Sequence, residues 1–402
     1  MRTRARGHAA TTTAAVLALV CAGPAAADCP SGITTKLIPL PVYATLPNEG
    51  NTWGAMPVFL RVCPDGQRTE SIIAPSLSWN SVIHVTGTFR WFYYPSDEKT
   101  LTVIGSASTN INFNALVVWQ RLPTAAGAST DDLTFRLQRS AFFRFFGLGP
   151  DTPASAETSY TGLRAYATAR RGVNVARRLN LGATVSVERD GVEAIGVPGL
   201  PLSRDVFPAA PGMRGATTLS QGVDLRYDDR AGGDYAERGL RAEVGGDVVE
   251  GLSGSPTYLR GRAQASGILP EADGLSGTAR LSWTAVSSGD VPFYRQSTLG
   301  GAFLLRGFTE DRFIGQQAWT LELEQRIRLF QTHIFGVVAD WRADPFVALG
   351  QVFTRFGDAL SNPQVAGGVG FRAFVHPNVL GRVDVAYGGE GAKVYVELGY
   401  PY

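Results

Sequence analysis

Charge is scarce in this chain: Asp, Glu, Lys and Arg make up 18% of its 402 residues, against about a quarter in ordinary soluble domains. The formal net charge is +2, and no basic face gathers the Lys and Arg that phosphate binding needs, which excludes nucleic acid as a partner. Behind the N-terminus no run approaches the roughly 18 to 20 apolar residues of a membrane helix. Any passage through a membrane must then be made by strands. His84, His333 and His376 sit in separate segments and no Gly-x-Ser-x-Gly elbow is present. Neither a Ser-His-Asp set nor a metal site is expected, nor any cofactor, and the chain does not read as an enzyme.

Glycine is abundant, with 47 residues, and aromatics reach 10%, a mix that suits many short strands and tight turns. The N-terminus reads as a secretory signal over 1–27. Arg2, Arg4 and Arg6 supply its basic start, Ala14 to Cys21 its apolar stretch, and Ala25-Ala26-Ala27 its cleavage site. Cys21 follows Val20 rather than a small residue, so it reads as part of the apolar stretch and not as a lipid attachment point. Export leaves Cys29 and Cys63 where a disulfide can persist; one bridge and two free thiols are both compatible with the spacing. Residues 28–52 read as a short periplasmic segment and 53–402 as the barrel.

The strand signal is alternation with period two. In Trp319 to Phe330 the odd positions are Trp319, Leu321, Leu323, Gln325, Ile327 and Leu329, while the even ones include Thr320, Glu322, Glu324, Arg326 and Arg328. Leu380 to Tyr387 sets Arg382 and Asp384 against Val383, Val385 and Tyr387. Repeated in segments of about ten residues, this is the signature of membrane strands with one face to lipid and one to a lumen. A soluble sandwich alternates too, with its polar face to water, but secretion and the terminal strand favour lipid; since lipid tolerates no open sheet edge, the expected fold class is all-β, an antiparallel transmembrane barrel. Sixteen strands are expected, near 53–63, 70–81, 84–94, 99–120, 132–146, 161–171, 180–190, 217–228, 238–249, 257–268, 275–286, 318–330, 344–353, 365–375, 380–388 and 393–402. The segment 99–120 also reads as a hairpin about Thr109-Asn110, and 36–45 as a further strand; the preference for an even total favours sixteen. Long connections at 147–160, 191–216 and 287–317 are expected outside the cell. The last strand ends on Tyr400 and Tyr402, an aromatic ending like the insertion signal of outer-membrane barrels.

From about residue 215 the succession of motifs resembles the BamA/TamA surface-antigen superfamily. Asp228-Asp229-Arg230 with Glu237-Arg238-Gly239 resembles its Asp-x-Arg to Gly turn. Pro292-Phe293-Tyr294-Arg295, Leu299-Gly300-Gly301 and Leu305-Arg306-Gly307-Phe308 follow, then Glu324-Gln325-Arg326 and Pro345-Phe346-Val347-Ala348. Ala348 stands where members often carry an acidic residue. No POTRA module fits before the barrel, so the chain is similar to the subgroup that lacks them.

The resemblance implies a Gram-negative outer-membrane barrel related to factors that transport or insert protein or lipid clients without nucleotide hydrolysis. Its long extracellular loop would fold inward. Arg306, permanently charged, needs carboxylates in a water-poor lumen, and Glu322, Glu324 and Asp384 are the expected partners. Gly307 would turn the tip and Phe308 would wedge against the wall. Expected partners of the whole are outer-membrane lipid and lipopolysaccharide, with a periplasmic accessory or client protein. A passive plugged pore is the alternative.

Overall fold

Which face of an alternating strand looks outward is the question that periodicity leaves open, and the computed structural model answers it. It describes residues 32–46, 48–63, 68–230, 236–334, 337–375 and 379–398. On adjacent positions of one strand Val223 is 61% exposed and Asp224 2%, so apolar side chains face out and polar ones face in. A water-soluble sheet would do the reverse.

The chain begins with β1 (Thr34–Leu46), β2 (Gly50–Val62), β3 (Thr69–Ile73), β4 (Ser76–Asn80), β5 (His84–Ser96), β6 (Lys99–Ser108) and β7 (Phe113–Arg121). There follow β8 (Ser129–Phe145), β9 (Thr158–Ala176), β10 (Leu179–Glu193), β11 (Ala216–Asp228), β12 (Gly239–Ser253), β13 (Tyr258–Ala272) and β14 (Leu275–Val286). After the short β15 (Ser297–Leu299) and β16 (Phe313–Gly315) come β17 (Gln317–Ile334), β18 (Val337–Phe353), β19 (Gln364–Val375), β20 (Val379–Tyr387) and β21 (Ala392–Leu398). All but β15 and β16 belong to one antiparallel sheet of 19 strands. β3 and β4 each lie between β2 and β5, so they share one position and the wall has eighteen among the described residues. β21 comes to lie against β1, which closes the cylinder.

The expected sixteen strands therefore need two corrections, both in the N-terminal third. Residues 36–45 lie in a wall strand, paired with β2 from Thr34↔Val62 to Leu46↔Gly50, so most of the expected 28–52 periplasmic segment is wall. The stretch 99–120 is a hairpin whose turn is pinned by Asn110, its Nδ2 donating to the Val82 carbonyl at 2.8 Å. Two additions at once keep the total even, which is why parity could not detect them. The signal over 1–27, Cys29, Tyr400 and Tyr402 lie outside the described residues. Cys63 is disulfide-bonded, to a partner that is likewise outside them.

Strict antiparallel order sends the connections 146–157, 194–215 and 287–316 to the same rim, while the short turns 177–178 and 273–274 lie at the other. The long connections pack together as a cap. Phe145, Tyr160, Val192, Met213, Phe293 and Ile314 form one buried cluster, and Ala141, Phe142 and Val197 with Val82, Ile83, Ile111 and Leu200 form a second at the same rim. Burying each such large side chain is worth about 1.5–3 kcal/mol.

The inner wall is of two kinds. From β9 to β13 it carries ion pairs, such as Arg170 to Asp224 at 2.6 Å and Arg262 to Asp247 at 2.8 Å. Over β1 to β3 it is apolar instead: Ile38, Val58, Leu60, Val62, Ile72 and Ala74 form a buried cluster, with Leu40, Met56, Phe92 and Tyr94 packed on it.

Candidate functional site

The connection 287–316 is the longest in the barrel and folds back into the lumen. Its stem is the two-stranded ladder of β15 and β16. Phe293 stands against Phe145 at 4.3 Å between ring centroids and against Tyr160 at 5.4 Å. Beside it, Arg295 donates from Nε to Asp190 Oδ2 at 2.7 Å and also pairs with Glu188, both on β10.

Beyond the stem the backbone must reverse in a crowded space. Gly300, Gly301 and Gly307 adopt φ of +111°, +104° and +118°, and Leu305 takes +53°. A Cβ at Gly307 would stand 2.9 Å from the backbone of Tyr387 and Gly388, so only glycine fits there. Leu305 in the left-handed region costs about 1–2 kcal/mol. Its burial with Phe308, Phe313, Ala348 and Val352 offsets that strain.

Arg306, with no exposed surface, meets all three carboxylates named from the sequence. Nη2 lies 2.9 Å from Glu324 Oε2, Nη1 3.3 Å from Asp384 Oδ1 and Nε 3.8 Å from Glu322 Oε1. Its guanidinium carbon sits 3.6 Å from the Phe346 ring centroid, a desolvated cation–π contact. Burial pushes the guanidinium pKa down, but the charges of Glu324, Glu322 and Asp384 outweigh it and raise the value.

The surroundings were only partly readable. Asp384 also accepts from Arg372 Nη1 at 2.7 Å and from Arg382 Nη1 at 3.1 Å, while Arg372 Nε reaches Asp344 Oδ2 at 3.2 Å. Arg280 pairs with Glu322. The alternation of β19 and β20 puts Arg372 and Arg382 on the inner face, but cross-strand register was needed to bring them to one carboxylate. Ala348 is fully buried against the loop tip. Asp344, four residues earlier on the same face of β18, supplies a carboxylate to Arg372.

Tyr395 on β21 gave no signal in the sequence as a loop partner. Its hydroxyl donates to the Phe308 carbonyl at 2.7 Å and accepts from the Gly307 amide at 3.1 Å. The loop tip is thus bonded to β17, β20 and β21 at once. Farther along, Arg312 reaches Glu390 at 2.7 Å and the Thr152 carbonyl at 2.6 Å.

The Asp-x-Arg turn is a local clamp away from this centre. Asp229 Oδ1 accepts the Leu240 amide at 2.5 Å and Oδ2 the Tyr227 hydroxyl at 3.1 Å. The Leu240 amide is the main cause that holds the Asp229 carboxyl below its usual range. Gly239, at φ +122°, leaves the space that Arg230 occupies.

Residues 129–388, from the start of β8 to the turn after β20, match the Omp85 superfamily domain. No curated protein matches the chain in sequence. Among solved structures, BamA from Haemophilus ducreyi lacking POTRA domains 1–3 aligns with a TM-score of 0.55 at 14% identity, over 91% of this chain and 74% of that one. CdiB from Acinetobacter baumannii gives 0.47 at 11%, over 92% and 60%, and CdiB from Escherichia coli 0.49 at 12%, over 91% and 62%. The chain thus spans less than two thirds of either CdiB, and at such identities the likeness is one of fold. The matched residues hold the loop and most of its bonded partners: the chain belongs to the Omp85 superfamily and is an outer-membrane β-barrel.

Proposed function

We propose that this barrel inserts or transports protein or lipid clients at the outer membrane without nucleotide hydrolysis, with the seam between β21 and β1 as the route. The observation that carries this reading is the anchoring of the loop tip. Arg306, Gly307 and Phe308 hold β17, β20 and β21, three of the last five strands before the seam. The capped mouth supports it too, because a lumen roofed by packed loops leaves the wall as the way out. Outer-membrane lipid and lipopolysaccharide would surround the apolar exterior, and a periplasmic accessory or client would approach from the rim opposite the cap.

A passive plugged barrel is the second reading, favoured by one specific feature. Asp384 is shared among three arginines, and a network of that density serves a static plug equally well. Planar-bilayer recording of the wild type and of Arg306→Ala tests the loop: a quiet wild type and a variant with frequent openings are expected. Large steady wild-type currents contradict the cap, and an unchanged variant contradicts the loop anchor. Folding of an outer-membrane client into vesicles with and without the protein separates the two readings, since a scaffold leaves the rate unchanged.

A further inference from the structure

The edge of β1 that faces the seam is short of hydrogen-bond donors. Pro39 stands directly opposite Pro57 in the β1–β2 ladder, which runs through this point without a register shift. Opposed residues of an antiparallel pair either exchange two N–H···O bonds or exchange none. Two prolines have no N–H to exchange, so the pair occupies the non-bonded position and the backbone of Pro39 points away from β2, toward β21. Every second residue of β1 shares that direction, including Leu37, Pro41 and Tyr43. Pro39 and Pro41 therefore remove two consecutive donors from the seam edge.

The same row explains the interruption in the third wall position. The registers Phe59↔Ile73 and Ala55↔Leu77 put Pro57 opposite Pro75, the residue between β3 and β4. There both missing donors face each other, and the ladder breaks. At the seam, β21 lies alongside β1, yet among the described residues no ladder joins them.

Apolar side chains flank this edge on both sides of the sheet. Leu37 and Tyr43 are exposed on the outer face, while Ile38 belongs to the inner apolar cluster and Leu40 packs on it. β1 is held to β2 by thirteen paired residues and by that cluster, so the seam can part without releasing β1 from the wall. A client strand adds to an edge through alternating backbone donors and acceptors, and this edge keeps its acceptors but lacks donors over its middle. An acyl chain needs none and gains from apolar contact alone.

Resting on the transport reading above, we propose that the β1–β21 seam admits the acyl chains of membrane lipid, and that Pro39 and Pro41 set this preference over a hydrogen-bonding strand. The test uses the full chain in vesicles of phosphatidylethanolamine and phosphatidylglycerol. These carry a phosphatidylethanolamine with a photoreactive diazirine midway along one chain. Adducts are expected on the lumen face of β1, at Leu40 and Val42, as well as on the lipid face at Leu37 and Tyr43. Lumen-facing Ser186 and Thr278, far from the seam, should stay unlabelled. In Pro39→Thr/Pro41→Thr, which restores both donors, lumen-face adducts should fall by about five-fold or more, the factor one backbone hydrogen bond is worth.

Absence of lumen-face adducts in the wild type overturns the proposal whether or not the variant folds; labelling that the variant leaves unchanged also overturns it. A photoreactive ten-residue peptide of alternating apolar and polar residues forms the second arm. If the peptide labels the seam and the lipid does not, the acyl-chain preference fails while the transport reading stands. If client folding into vesicles is unaffected by the protein, the transport reading fails independently of either label.

Discussion

The two flanks of the seam are built by opposite means. On the side of β17 to β21, charge does the holding: Arg306, Arg372 and Arg382 converge on Asp384, and Tyr395 ties the last strand to the loop. On the side of β1 to β3, an apolar cluster and the β1–β2 ladder do it, and the outermost edge lacks donors at Pro39 and Pro41. Buried charge is orientation-specific and fails badly when one partner goes, whereas apolar packing tolerates small shifts. On the proposed reading the contrast is that of a fixed post and a movable leaf.

The largest effect should come from the post. Arg306→Ala removes the cation shared by Glu324 and Asp384, leaves them to Arg326, Arg372 and Arg382, and should destabilise the barrel by up to about 3–5 kcal/mol, the cost of breaking a buried pair. Urea unfolding in micelles measures it. Glu324→Ala alone should cost a similar amount, and the double variant much less than the sum; additive losses would show the two residues to be uncoupled. Gly307→Ala comes next, at about 1–3 kcal/mol from a strained φ together with the clash at Tyr387 and Gly388. It should mimic Arg306→Ala in bilayer recordings, because the tip cannot seat.

Tyr395→Phe keeps the ring and loses two hydrogen bonds, so about 1–2 kcal/mol is expected, with faster amide exchange confined to the loop tip and β21. The leaf should respond in the opposite sense. Pro39→Thr/Pro41→Thr should raise stability by about 0.5–1.5 kcal/mol for each donor that finds a partner on β21. A drop in stability would mean that the prolines already sit in a bonded seam.

The smallest effect lies at the Asp229 turn, distant from both flanks. Its folded carboxyl titrates below the unfolded value, so its contribution is complete above the unfolded pKa and is lost as pH falls through the folded one. The protection factor of the Leu240 amide, which donates to Asp229, should be constant from neutral pH to about 4 and fall below. A fall near neutrality would assign the change to another group.

The post was legible in the sequence and the leaf was not. Alternation put Glu322, Glu324 and Asp384 on faces that could meet Arg306, because charged and apolar residues sort across strands such as Trp319 to Phe330 with Gln325 as the one polar residue on the apolar face. β1 and β2 have little such contrast: Leu37, Ile38, Leu40, Val42 and Tyr43 make both faces apolar, and Pro39 and Pro41 argue against a strand at all. Only the register shows that these prolines fall where the ladder with β2 does not need their donors. Tyr395 was hidden for a different reason, since its partners are backbone groups of a loop nearly ninety positions away in sequence. A side chain bonded to distant backbone leaves no pattern of its own.

Hydrogen exchange along β1 tests the account most directly, because alternate amides of one strand share the same surroundings. With the protein in micelles, the amides of Ile38, Leu40 and Val42, turned toward β2, should be protected, while those of Leu37 and Tyr43, turned toward the seam, should exchange quickly. Equal protection of both sets would mean that β1 and β21 are zipped, and the distinction between post and leaf would fall.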